Sequence, residues 1–258
     1  MAFARMARER RHTLYFLRYI RSFSPVFLDT EVDMTRVCAH RATGTRYSVV
    51  SYVLLAAGRV LTTHPDANAA VHGRLVPRMT TPGTVNGKLT LDKTVNGRRV
   101  VVSAVLPGLD QSTLDDIQRA VAHFRDGDPA TMPEFARLRA LDRLPGFVGA
   151  ALFRLAAGSL RHRPGLMGTV AVTSLGHGVV DSFHSVGGTT VTLGVGRIAA
   201  RPVVRDGRIV VAPVMRLSLA FDHRVIDGAE AADVLAGLRH ELETQDIGDK
   251  ELRKAEAG

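Results

Sequence analysis

Apolar and polar positions change period several times along the chain, and each change marks an element. Val26 to Asp33 alternates as a strand does, and Asp33-Met34-Thr35-Arg36 reads as a helix start. Tyr47-Ser48 leads into an apolar helix through Val53, Leu54, Ala57 and Leu61. Val71 to Arg78 and Gly87 to Asp92 read as short strands, with turn signals at Gly73, Pro82-Gly83 and Asn86-Gly87. Asn96-Gly97 is a hairpin signal ahead of the strand Arg99 to Leu106. Ser112-Thr-Leu-Asp115 has the form of a capping box for a helix to about Phe124, which Asp126-Gly-Asp-Pro129 ends.

Two stretches lie outside this regular pattern. Residues 1–22 read as a basic helix, with Arg8, Arg11, Arg18 and Arg21 among Leu14, Phe16, Leu17 and Ile20. We read it as a first helix laid on the core, with membrane-surface binding as the alternative. Residues 129–166 predict a helix from Glu134 to Leu144, a break at Pro145-Gly146 and an apolar run from Phe147 to Leu160, then Arg161, His162 and Arg163. A helical hairpin capping the core is the plain reading. An acceptor-site wall or a partner surface is the alternative.

The second half is rich in strands: Thr190 to Gly196, Arg201 to Val204 and Arg208 to Val211, with Asp206-Gly207 as a turn. Leu217, Leu219 and Phe221 then alternate with Ser218 and Ala220, and the apolar spacing after Gly228 is helical. His223 therefore sits where a strand ends, with Asp227 four residues later and a helix behind it. An imidazole held by a scaffold yet open to substrate suits a general base. His177 and Asp181 repeat the same spacing, so spacing alone does not choose between the copies; the strand-then-helix context favours His223.

Composition narrows the classes. The 258 residues, 45% hydrophobic and 23% charged, suit a globular protein of one large domain or two small ones, and we read them as a single domain. The one cysteine, Cys38, excludes an internal disulfide and a cysteine-rich zinc site, and we read it as packing. No metal-ligand spacing, phosphate-binding loop or dinucleotide fingerprint is present. No apolar run reaches membrane-spanning length and the start has no signal-peptide pattern, so the expected compartment is the cytoplasm. The net charge of +9, almost all arginine, attracts acidic ligands, but no nucleic-acid motif accompanies it.

Asp222-His-Arg-Val-Ile-Asp-Gly228 resembles the active-site signature of the dihydrolipoamide acyltransferase catalytic core, whose fold is shared with chloramphenicol acetyltransferase. Phe27 to Arg36, Thr63 to Ala69 and Gly168 to Gly176 resemble further parts of that family, and the likeness covers about residues 14–128 and 167–243. It implies a chloramphenicol-acetyltransferase-like α/β fold, a two-layer mixed sheet with packed helices, assembled as a homotrimer.

The implied reaction is acyl transfer from a coenzyme A thioester, or a related carrier thioester, to a small-molecule acceptor. His223 would be the base. Thr173, where the family has serine, would donate to the oxyanion, with Ser174 as fallback. Asp227 would anchor the loop, Gly228 would allow a tight turn, and an N-terminal arginine, Arg18 or Arg21, would pair with the motif aspartate. Asp222, Arg224, Gly176 and His177 would surround the substrate, with His184 on the same glycine-rich loop. The motif histidine and the oxyanion hydroxyl would come from neighbouring subunits.

Ser51 and Leu55 stand where the family commonly has aspartate and lysine. No lipoyl-type domain precedes the core, so no lipoyl group is expected on this chain. The charged tail from Asp246 to Gly258 suggests a closed trimer rather than a cage. A core served by a lipoyl or carrier domain on another chain is a second reading, and a silent trimeric scaffold a third. If His223 is the base, His223→Ala lowers turnover by about two to four decades with the fold intact. His177→Ala costs far less, and equal losses in steady-state assays would mean that the other copy is the active one.

Overall fold

Alternating strands meet in one mixed sheet. The computed structural model describes residues 7–44, 47–73 and 75–244. In chain order the strands are β1 (Pro25–Asp33), β2 (Ala70–His72), β3 (Arg78–Thr80), β4 (Gly87–Val95), β5 (Arg98–Leu106), β6 (Val170–Ser174), β7 (Val191–Arg205) and β8 (Arg208–Asp222). The helices are α1 (Arg11–Tyr19), α2 (Thr35–Ala42), α3 (Val49–Thr63), α4 (Leu114–Asp126), α5 (Ala136–Arg143), α6 (Gly146–Gly158), α7 (Arg163–Met167) and α8 (Gly228–Thr244). The main sheet runs β1-β8-β7-β6-β4-β5, and β2 pairs only with β3. β6 is parallel to both neighbours; the other pairs are antiparallel.

The register sorts side chains onto two faces. Leu89, Val172, Leu193 and Leu219 are level and share a face, as strand alternation requires. That face carries the core under α3 and α8. α3 is buried along most of its length, and Ser48 caps it by accepting from the Ser51 amide. Ser51 itself is buried, its hydroxyl 2.8 Å from Gln118 Oε1, and Leu55 is buried beside it. The two departures from the resembling family thus lie in helix packing. Cys38 packs against the same core, and burial raises its thiol pKa.

Several expectations need correction. The strand expected from Val71 to Arg78 is split, because Gly73 turns at φ +101° and Leu75 and Val76 stand in solvent. The three strands expected between Thr190 and Val211 and the motif strand are two 15-residue strands, β7 and β8, joined at Asp206-Gly207. Pro202 lies inside β7, which there pairs only with β8, so its missing N–H is tolerated beside a free edge. The capping box belongs to Thr113 and Asp116, one residue later than read. The charged tail, the first six residues of the basic stretch and Arg74 lie outside the described residues.

The first helix does not lie on the sheet core alone. It packs on α5 and α6 of the 129–166 segment. His12 is the pin. Its Nδ1 is 2.9 Å from Asp142 Oδ2, its amide donates to Asp142 Oδ1, and its Nε2 is 3.0 Å from the Val101 carbonyl. Burial works against the charged ring, but the hydrogen bonds to Asp142 and Val101 outweigh it and raise the pKa.

A raised histidine pKa gives stability that is full below the unfolded value of about 6.5 and is lost as pH rises through the folded value. The urea midpoint is therefore expected to fall by the equivalent of about 1–2 kcal/mol as pH rises through that window. Asp142→Asn should remove this pH dependence. An unchanged profile in that variant would show that the pair does not fasten α1.

Candidate functional site

The motif turn is held from three directions. β8 ends at Asp222, whose amide donates to Thr190 O at 2.9 Å. The His223 amide donates to Ser24 O at 2.9 Å, and Asp222 Oδ1 accepts from Ser24 N at 3.2 Å. Asp222 is 3% exposed. Arg224 folds back onto it, with Nε 2.9 Å from Oδ1 and Nη2 bonded to Oδ2. The Arg224 guanidinium also lies 4.8 Å from the centre of the Phe23 ring. The His223 main chain is thus fixed while its ring stays half-exposed, beside Phe221 at 5.4 Å.

This arrangement changes several roles. Asp227 was expected to anchor the loop, yet its carboxylate is 87% exposed and lies 3.3 Å from His223 Nδ1. Asp222 is the anchor; Asp227 is a solvent-screened neighbour of the imidazole, and its charge adds little there. Arg18 and Arg21 are exposed, and Arg224 takes the motif carboxylate instead. Gly228 opens α8 with no positive φ and open space where a Cβ would stand, so no tight turn requires it.

His177 is exposed, and Asp181 pairs with Arg197 at 2.5 Å and Arg201 at 3.0 Å. The second His-x-x-x-Asp copy is therefore not a pair. His184 is exposed with its ring 5.3 Å from Phe27.

Thr173 stands near the end of β6 on the face away from α3. It is level with Thr90 of β4 and with Gly194 of β7, which is level with Ser218 of β8. No side-chain hydrogen bond occupies the Thr173 or Thr90 hydroxyl among the described residues. The Ser174 hydroxyl, the fallback donor, accepts from the Gly176 amide at 3.3 Å. Gly176 packs so closely that a Cβ would lie 2.6 Å from Gly196 O. His223 is five positions beyond Ser218, so within one chain it lies roughly 17 Å along the strand from Thr173.

Two residues of this region escaped the sequence reading. Thr90 adjoins Thr173, a relation visible only once the register is known. Lys88, two residues earlier on the same face, is buried; its Nζ donates to Gly187 O at 3.0 Å and lies 4.3 Å over the Phe16 ring. Burial, with the nearby Arg163, lowers its pKa to about 8. Arg163 is itself buried and donates to Val71 O and Gly188 O. Among the described residues no cluster of three or more His, Cys, Asp or Glu could hold a metal ion.

Residues 154–247 match the family described as 2-oxoacid dehydrogenases acyltransferase (catalytic domain). Over this stretch the chain is similar to the 2-oxoacid dehydrogenase acyltransferases. It contains both Thr173 and the motif turn. The match begins inside α6, so the 129–166 segment is not wholly foreign to the family.

A dihydrolipoyllysine-residue acetyltransferase component of the pyruvate dehydrogenase complex from Bacillus subtilis is 58% identical over 50 residues, 19% of this chain and 11% of that protein. The Staphylococcus aureus component is 49% identical over 55 residues, 21% of this chain and 13% of that protein. The matched stretch is thus a small part of these longer relatives.

In fold the likeness extends to the whole described chain. A probable dihydrolipoamide acetyltransferase from Listeria monocytogenes aligns with TM-score 0.69 and 18% identity, over 95% of this chain and 97% of that one. Azotobacter vinelandii dihydrolipoamide acetyltransferase gives 0.70 and 21%, over 95% and 92%. A chloramphenicol acetyltransferase gives 0.51 and 17%, over 92% and 96%. The expected fold class is the observed one.

Two stability changes follow from the buried charges. Arg224→Met leaves Asp222 buried without its cation and is expected to cost about 3 kcal/mol in denaturant unfolding; a loss below about 0.5 kcal/mol would deny Asp222 its anchoring role. Lys88 has a depressed folded pKa, so the unfolded chain binds the extra proton between about pH 8 and 10.5, and stability rises with pH across that window. Lys88→Met should abolish this rise and stabilise the protein at neutral pH, by at most about 3 kcal/mol. A pH slope that survives the substitution would assign the buried proton to another group.

Proposed function

We propose that the protein is an acyltransferase that moves an acyl group from a coenzyme A thioester to a small-molecule acceptor, working in the cytoplasm. The observation that carries this is His223, half-exposed on a turn whose main chain is clamped by Asp222, Ser24 and Thr190. The acceptor thiol, hydroxyl or amine attacks the thioester carbonyl as His223 takes its proton. The resulting oxyanion accepts a hydrogen bond from Thr173 of a neighbouring subunit. The C–S bond then breaks, and the departing thiolate recovers the proton from His223.

A homotrimer supplies the second half of the site. Thr173 of the same chain is too far along the sheet to face His223, whereas a head-to-tail ring can bring one chain's turn to the next chain's open sheet face. A lipoyl or carrier domain on another chain is the second reading of the donor, favoured by the relatives, which are dihydrolipoyllysine-residue acetyltransferase components of the pyruvate dehydrogenase complex. A silent scaffold is disfavoured by the intact, accessible His223.

Acetyl-coenzyme A consumption with a panel of acceptors, and with free dihydrolipoamide, separates the donor readings. Thr173→Val is expected to lower turnover roughly a hundredfold, with a smaller effect on substrate binding. If Ser174→Ala is the damaging change instead, the oxyanion donor is Ser174. Light scattering should give about three times the chain mass of 27.9 kDa. Refolding His223→Ala and Thr173→Val chains together should restore part of the activity at interfaces that pair the two intact residues. A monomer, or a mixture as inactive as its parents, would refute the shared site.

A further inference from the structure

Acyl transfer leaves one surface without a role. The aromatic side of α6 packs on α1, with the Phe153 ring 6.4 Å from Tyr15 and 6.2 Å from Tyr19. Its other side faces outward: Phe147 is 80% exposed, Leu155 72% and Leu152 48%. Single exposed apolar residues are ordinary, but three within nine residues of one helix, joined by exposed Ala151 and Ala156, form a patch.

The charge around the patch is one-sided. Residues 10–28 and 143–180 contain no aspartate or glutamate and eight arginines. Of the 34 basic residues in the chain this leaves 26, against 25 acidic ones, so nearly all of the net charge of +9 arises from these two stretches. They are brought together by the α1–α6 contact. Arg18, Arg21, Arg154 and Arg161 are exposed there, whereas Arg163 is buried.

We propose that α1 and α6 form a docking face for an anionic lipid bilayer. Phe147, Leu152 and Leu155 enter the boundary between headgroups and acyl chains, and the exposed arginines meet the headgroup phosphates. The same face on a second copy would set arginine against arginine. Neither the cavity of about 330 Å³ between α5 and the β4–β5 turn nor the small one beside Asp222 is lined by an α6 residue. Docking is also tied to the candidate site: α6 touches Tyr19, the Tyr19 ring lies 5.6 Å from Phe23, and Phe23 carries Arg224 of the motif turn. The inference does not depend on the acyl-transfer reading.

Flotation of the full chain with vesicles of phosphatidylcholine alone, or of phosphatidylcholine with phosphatidylglycerol, tests it. Binding is expected only to the anionic vesicles, and added salt should weaken it. The double change Phe147→Ser with Leu155→Ser should reduce partitioning at least about tenfold. Arg154→Ser and Arg161→Ser should each reduce it about fivefold. Arg119→Ser, an equal charge change on α4, should alter it by less than about twofold. Light scattering of the Phe147→Ser, Leu155→Ser protein should show the wild-type assembly. The proposal is overturned if anionic vesicles are not bound, if binding survives the loss of both apolar side chains, or if that loss dissociates the assembly and so marks the face as a subunit interface.

Discussion

A carboxylate taken out of water costs several kcal/mol unless cations and donors surround it. Asp222 is taken out almost completely, and its oxygens are met by the Ser24 amide and by the Arg224 amide and guanidinium. The same residue's amide reaches Thr190. One side chain and its peptide unit thus join the first strand, the start of β7 and the end of β8. Asp227, out in solvent, has no such leverage. The His223 ring need not be buried to be held in place, because the residue before it carries the desolvation.

The two faces of the sheet divide the work. The face under α3 and α8 is apolar and continuous, and it absorbs Ser51 and Leu55 as packing residues. The other face is graded. At one end it is closed by α1 and the loop before β7, with Lys88 sealed beneath Phe16. Two residues further along β4 it presents Thr90 and, level with it, Thr173. A cation buried against only a carbonyl and a ring face is poorly compensated, and its lowered pKa records that. The closed end therefore carries a stability cost beside the open end where Thr90 and Thr173 stand.

Signals with a fixed local geometry were legible in the sequence. Asn96-Gly97 and Asp206-Gly207 adopt the positive φ values that such turns need, and the helix after Gly228 follows its apolar spacing. The motif turn was legible as a unit. The division of labour inside it was not, because two aspartates five residues apart look alike until burial separates them. The continuity of β7 was not legible, because the separate strands ending at Gly196 and starting at Arg201 are joined only through their common pairing with β8. Thr90 and Lys88 carried no signal at all: their meaning comes from the parallel pairing of β4 with β6, which joins segments some eighty residues apart.

The clamp on the motif turn has a consequence for how the protein is made. Ser24 and Thr190 lie 199 and 33 residues before His223, so the turn is closed by one partner from near the start of the chain and one from near its end. Contacts of such wide separation form late, after the loop-closure entropy between them has been overcome. During synthesis β1 emerges long before β8 exists to pair with it. The edge of β1 therefore waits, unpaired, while the residues between it and β8 are made, and the motif turn closes only after them.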